Sequence, residues 1–284
     1  MRPALVLAAV LAIALPAAGQ EAFTIQFFPV VARGPGLAGT QLVTDLTIHN
    51  PIDEPVTVGM QFFLANQDNL FNPLFPDTVT IPPGETVIME DVLQTTFGYT
   101  NAVKGGMALV SDPEYLVGNP ANTKIVAVTR TYNVGSPDGT FGQTVPSMIS
   151  TLNVGWASSF ITGARNDADF RSNLGICSTA VMSTIRVYYA IKDADGTVLA
   201  DGSKVIRTAS MNQWSFEQLG VGTVDGPLTV ELWLDSANAS PNPCEDEPAP
   251  PGFFAYVSKV DNGTGDAEFL VSAPLVPFLC AFEE

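Results

Sequence analysis

The side chains able to do chemistry are few and scattered. His49 is the single histidine, so any Ser-His-Asp arrangement would have to use it. It precedes Asn50-Pro51, where a polar residue ending a strand accounts for it. One histidine also excludes a zinc site of the usual His-rich kind. No G-x-S-x-G, H-E-x-x-H or P-loop sequence occurs. Gly220, Gly222 and Gly226 miss the dinucleotide-binding spacing. Glu85, Glu90 and Asp91 lie close together in sequence. A glycosidase needs two carboxylates roughly 5–10 Å apart, so a hydrolase working through paired acids stands as an alternative. With 29 acidic residues, some such pairs arise by chance.

Asp193 and Asp195 are candidate calcium ligands. Asp193-Ala194-Asp195-Gly196 nevertheless lacks the third acid and the distal Glu of a calcium loop. A tight turn explains the same residues, because Asp-Gly supports positive φ. No catalytic residue is expected, and no cofactor unless calcium binds there. The three cysteines, Cys177, Cys244 and Cys280, allow one disulfide and one leftover thiol. None has the C-x-x-C spacing of a zinc or redox site, which points to a structural role.

These residues sit in an acidic, weakly charged chain. Of 284 residues, 12 are Lys or Arg and 29 are Asp or Glu, a net charge of −17. A nucleic-acid partner is excluded, because phosphate contacts need clustered basic residues. Charged residues are 14%, against about 25% in an average soluble protein.

The N-terminus reads as an address. Arg2 supplies a positive charge, Ala4 to Leu15 is an unbroken apolar run, and Pro16-Ala17-Ala18-Gly19 is small and turn-forming. That is the plan of a secretory signal peptide over residues 1–19. The run is too short to span a membrane, which takes about 20 residues. Its removal takes Arg2 with it, leaving −18. The expected location is secreted, periplasmic or on the surface of a bacterium, with no membrane insertion after cleavage.

The rest of the chain is one pattern written twice, at an offset of about 126–128 residues. Leu42–His49 answers to Phe170–Cys177, Val58–Phe62 to Ile185–Tyr189, Val79–Leu93 to Val205–Leu219, and Ala127–Asn133 to Ala255–Asp261. A period this long means a duplicated domain, not a solenoid. The boundary falls at Pro146–Ser150, giving domains 20–150 and 151–284. Within each, short runs rich in Val, Ile, Thr, Phe and Tyr alternate with turn residues. Leu42, Thr44, Leu46 and Ile48 share one strand face by the period of two. Pro82-Pro83-Gly84 dictates a turn, and Lys192–Gly196 closes a hairpin. Helix is expected only at Asp91–Phe97, capped by Asp91 or Glu90, and at Ser215–Leu219. The fold class is all-β: two tandem antiparallel β-sandwich domains, each with one short connecting helix.

Three stretches carry a resemblance: Gly36 with Thr44–Pro51, Ile81–Thr86, and Thr129–Asn133 with Gly139–Gly142. Together they resemble a tandem module of secreted bacterial proteins, with immunoglobulin-like or fibronectin-III-like sandwiches, over roughly residues 22–275. Domain two departs from the pattern: Thr208-Ala209-Ser210 stands where the Pro-Pro-Gly turn would be, and Ser258 replaces Arg130. The resemblance implies a non-catalytic module and carries over no catalytic residue. An immunoglobulin-like topology would bring the segment after Cys177 to the same end as the long irregular segment Ser236–Gly252. Cys177–Cys244 is then the preferred disulfide, with Cys280 as a further partner, and Cys244, Glu245, Asp246 and Glu247 form a candidate binding loop.

Phe62-Phe63 and Tyr188-Tyr189 are adjacent aromatics at equivalent positions. One of each pair must face outward unless a neighbouring module covers it, and inter-domain packing is the leading expectation. The function expected is a secreted, non-catalytic interaction or adhesion module whose partner is an extracellular protein or glycan. A carbohydrate-binding module is the second reading, marked by exposed coplanar aromatics on one sheet face.

Overall fold

A computed structural model of the chain describes residues 22–36, 39–69, 75–112, 123–136, 139–148, 151–153, 157–180, 183–235 and 252–275. The expected leader 1–19 and the residues Cys244, Glu245, Asp246, Glu247 and Cys280 lie outside them. The protein is all-β, and its strand pairs are antiparallel.

The first set of strands is β1 (Ile25–Pro35), β2 (Gln41–His49), β3 (Val56–Leu64), β4 (Asp77–Ile81), β5 (Thr86–Met89), β6 (Val103–Ser111), β7 (Val126–Asn133) and β8 (Gly142–Pro146). The second is β9 (Ser159–Asn166), β10 (Phe170–Ser178), β11 (Ile185–Lys192), β12 (Val198–Ile206), β13 (Met211–Ser215), β14 (Val224–Leu234), β15 (Phe253–Asp261), β16 (Ala267–Val271) and β17 (Ala273–Pro274). Sheet I runs β4-β3-β6-β1 and sheet II runs β5-β2-β7-β8. Sheet III runs β13-β10-β15-β16 and sheet IV β12-β11-β14-β9-β17. The pairings of β9–β16 repeat those of β1–β8 strand for strand, so sheet IV corresponds to sheet I and sheet III to sheet II.

One join is not repeated. β1 bends out of sheet I and pairs with β2 at Gly34 and Pro35. Gly34 makes the bend possible: its φ is +112°, and a Cβ there would lie 2.6 Å from the Ala102 backbone.

The four sheets stack in the order II, I, III, IV. One core lies between II and I, with Phe28, Leu46, Ile48, Met60, Met107 and Leu109. A second lies between III and IV, with Leu174, Ile176, Val187, Phe216, Val230 and Phe253. The third, the seam, lies between I and III. Phe27, Val30, Phe63 and Ala108 of sheet I meet Cys177, Met211, Phe254 and Tyr256 of sheet III. This layering explains the strand sequences. The central strands of the two inner sheets are buried on both faces, so β6 is buried from Gly105 to Ser111 and β15 from Phe253 to Ser258. Outer strands alternate: in β14, Leu228, Val230, Leu232 and Leu234 are buried while their neighbours are not.

Polar groups reinforce the seam at its rims. Asn69 donates its backbone N–H to Thr208 O and its side-chain amide to Ala209 O, at 3.1 and 2.8 Å. Asp68 pairs with Arg207 at 2.9 Å, and Ser258 bonds Gln143 at 2.8 Å.

The expected helical stretches form a short helix at Val92–Thr95 (α1) and a 3-10 turn at Glu217–Leu219. The expected cap is corrected. Asp91 occupies the N-cap position with φ +43°, but its side chain does not cap the helix. The carboxylate instead reaches across to Arg33 Nε at 2.9 Å. A charged, planar guanidinium is a stronger partner than the helix N–H groups.

Cys177 also differs from expectation. It is a free thiol, not bridged to Cys244, and is almost fully buried. Its place on β10 turns the sulfur inward to the seam, where it packs against Gly106 of sheet I. Burial pushes the thiol well above its usual pKa. Native protein treated with a thiol reagent is therefore expected to leave the Cys177 peptide unlabelled for as long as urea-unfolded protein takes to label completely. Mass spectrometry reads the difference, and equal labelling in both states would contradict the buried placement.

Candidate functional site

The outer face of sheet IV carries the strongest candidate. Alternation along β11 and β14 sends Val187, Tyr189, Leu232 and Leu234 into the core and leaves Arg186, Tyr188, Glu231, Trp233 and Asp235 outside. Cross-strand register then aligns them in rows. Tyr188 stands opposite Trp233, and Ala190 opposite Glu231; Glu231 in turn faces Phe160 on β9. The Tyr188 and Trp233 rings are near-parallel, at 13°, with centroids 5.8 Å apart. This is an offset stack, of the kind that adds about 0.5–1.5 kcal/mol beyond area burial.

Fixed charges flank the rings on both sides. Arg186 approaches Asp235 to 3.8 Å, and Tyr188 Oη donates to Asp235 at 3.4 Å. On the far side Lys192 Nζ lies 2.6 Å from Glu231, which also accepts from Ser158 Oγ at 2.8 Å. The Lys192 hydrogen bond holds the Glu231 carboxyl below its ordinary pKa, against the opposing effect of partial burial. The result is a half-exposed aromatic strip between two ion pairs. Trp, Tyr and Arg are the residues that dominate binding energy at protein interfaces, and aromatic faces also receive sugar rings. Each carboxylate here is engaged by a basic or hydroxyl group, an arrangement suited to recognition.

Trp233 is a functional candidate that strand alternation alone places. The alternation Leu228, Val230, Leu232, Leu234 places it outward beside Glu231. The two adjacent aromatic pairs also part company. Phe63 is covered by the seam and Phe62 enters a core, while Tyr189 is buried and Tyr188 remains on the outer face.

A cleft of about 880 Å³ opens at the edge of the seam. Its lining includes Arg33, Lys104, Asn166, Arg171, Gln213 and Ser258, and Glu217 is the single carboxylate among its lining residues. The carboxylate pair of a glycosidase is not among its described lining residues.

The other sequence candidates are dispersed. His49 Nδ1 bonds Thr86 Oγ1 at 3.0 Å at the end of β2. Glu85 and Glu90 are exposed beside turns, and Asp91 is held by Arg33. Asp193 Oδ1 accepts the N–H groups of Asp195 and Thr197 at 3.0 and 2.8 Å. With Gly196 at φ +83°, those bonds build the β11–β12 turn. Among the described residues no group of three or more His, Cys, Asp or Glu gathers into a metal-binding cluster, and no helix is long and apolar enough to cross a membrane.

No protein-family model matches the chain, and no curated protein matches it at a significant level. Among solved structures, one from Parabacteroides distasonis ATCC 8503, named as that of a secreted protein, is similar at 8% identity. The match covers 83% of this chain and 88% of that one, with a TM-score of 0.21. The structure of infectious bursal disease virus Gt strain is similar at 10% identity over 93% of this chain and 80% of that one, with a TM-score of 0.19. Similarity at this level carries no argument about function.

Proposed function

We propose that the chain is a secreted bacterial interaction module, non-catalytic, built from two immunoglobulin-like sandwiches at 20–150 and 151–284. It engages an extracellular protein or glycan through the outer face of sheet IV. The observation that carries this reading is the Tyr188–Trp233 stack, left half-exposed on a sheet face and framed by Arg186–Asp235 and Lys192–Glu231. Large aromatics left on a surface mark a place where apolar area is to be buried by something else. The flanking ion pairs give such a surface register and selectivity more than affinity.

The test is capture from the native cell surface with residues 20–284 as bait. Trp233→Ala is expected to lower recovery of the bound partner at least about tenfold, the effect of losing an interface hot spot. Recovery unchanged by Trp233→Ala and by Tyr188→Ala would sink the reading. A glycan partner is the second reading, favoured by the near-parallel rings beside Asp235 and Arg186, which supply polar contacts at the edge of a stacked sugar. Binding on a glycan array, lost in Trp233→Ala, separates it from a protein partner.

A further inference from the structure

We propose that the partner of the sheet IV face is a second copy of this chain, docked through the outer face of its sheet II, so that molecules stack head to tail. This rests on the reading of sheet IV as the binding face and names what covers it. The argument starts from the seam. Inside one molecule, sheet I of the first half packs on sheet III of the second. By strand correspondence sheet I is the counterpart of sheet IV, and sheet III the counterpart of sheet II. The seam therefore joins two different faces of one kind of unit. A contact between unlike faces is not self-limiting, whereas a two-fold contact uses itself up in one dimer. The two faces that the described residues leave open at the ends of the stack, sheet IV and sheet II, are the same two kinds that the seam already joins.

The distribution of exposed apolar side chains is an independent observation pointing the same way. Among the described residues, the exposed large hydrophobics are Ile88, Val134, Val198, Val205 and Leu275. Ile88, 66% exposed, lies on sheet II opposite Thr47, in a row that continues through Val128 to Pro146. Val134 follows in the outward phase of β7. Val205 stands opposite Arg186 and Val198 opposite Lys192 on sheet IV. Leu275, 70% exposed, continues the outward phase of β17. All five thus fall on the two end faces. Both faces also carry mixed charge, Asp45 opposite Arg130 on sheet II and Arg186 with Asp235 on sheet IV, so neither presents a single sign to the other.

The end faces hold fewer apolar groups than the seam, whose halves are also tethered at an effective concentration in the millimolar range. Stacking between molecules is therefore weaker and depends on concentration.

The experiment is sedimentation velocity on residues 20–284 up to roughly millimolar concentration, the range a short tether supplies. A series of species growing with concentration beyond two copies is expected. Ile88→Asp blocks one end and Val205→Asp the other, both at exposed positions, with circular dichroism confirming the fold. Each variant alone is expected to stay monomeric, while an equimolar mixture forms dimers and nothing larger, because each partner keeps one good face. A wild-type series that stops at two copies, or a mixture that stays monomeric, overturns the proposal. If wild type is monomeric throughout but Trp233→Ala still abolishes capture of another surface component, sheet IV remains a binding face and self-stacking falls alone. If both measurements are silent, both readings fall.

Discussion

A Gly175→Val variant is expected to unfold roughly 2–12 °C below wild type. Gly175 lies on β10 in sheet III, and a Cβ there would sit 2.0 Å from Tyr256 Cζ. No neighbour can absorb that overlap cheaply. Tyr256 is fully buried and stacks on Phe269 with centroids 4.8 Å apart. Overpacking of this kind destabilises by about 1–3 kcal/mol and occasionally more. For a chain of this size, each kcal/mol moves the midpoint by about 2–4 °C. The cause is space, not backbone conformation, because Gly175 has no positive φ. Two controls sharpen the test. Among the described residues Tyr256 Oη is buried without a hydrogen-bond partner, so Tyr256→Phe should be neutral or stabilising by up to about 1 kcal/mol. Gly175→Val combined with Tyr256→Ala should lose less than the sum of the two single changes, since they share one contact. A Gly175→Val protein melting within a degree of wild type would show that the ring does not lie over the glycine.

Truncating the seam aromatics is expected to have the larger effect on how the halves cooperate. Phe27 of sheet I and Phe254 of sheet III stack with centroids 4.5 Å apart and 22° between planes, and Phe63 lies 6.2 Å from Phe27. Phe254→Ala should cost about 3–5 kcal/mol in urea unfolding. In a cycle with Phe27→Ala, the pair should show a coupling of about 0.5–1.5 kcal/mol. With the seam weakened, unfolding is expected to split into two steps, one for each half, because each keeps its own core. A single transition with a loss under about 1 kcal/mol would mean that Phe254 is not a buried anchor.

Much of the fold was legible in advance because its cause is local. Alternation of period two in Leu42–Ile48 and Leu228–Leu234, the Pro82-Pro83-Gly84 turn and the Asp193–Thr197 turn each follow from backbone sterics and side-chain direction. They read the same way in any surroundings. Asp193 shows one residue type fitting two readings: two carboxylates and a glycine suggest a cation, and Asp193 Oδ1 also accepts the two backbone N–H groups that build the turn. Asp91 is a different case. Its position suits a helix cap, but Arg33 is 58 residues away in sequence, and no local pattern announces that partner.

The sequence by itself determined an all-β chain, its turns, the doubled strand pattern and the sparseness of catalytic groups, because short-range sterics and polarity decide these. Only the tertiary structure decided which faces meet. Phe63 and Tyr188 both sit in adjacent aromatic pairs; one is sealed in the seam and the other left outside. Cys177 lies within the seam as a free thiol. Polarity along a strand says which side seeks cover, but what covers it is set by contacts a hundred or more residues apart. The low charged fraction of the chain follows from that layering: the central strands of two of the four sheets are buried on both faces, where an unpaired charge is costly.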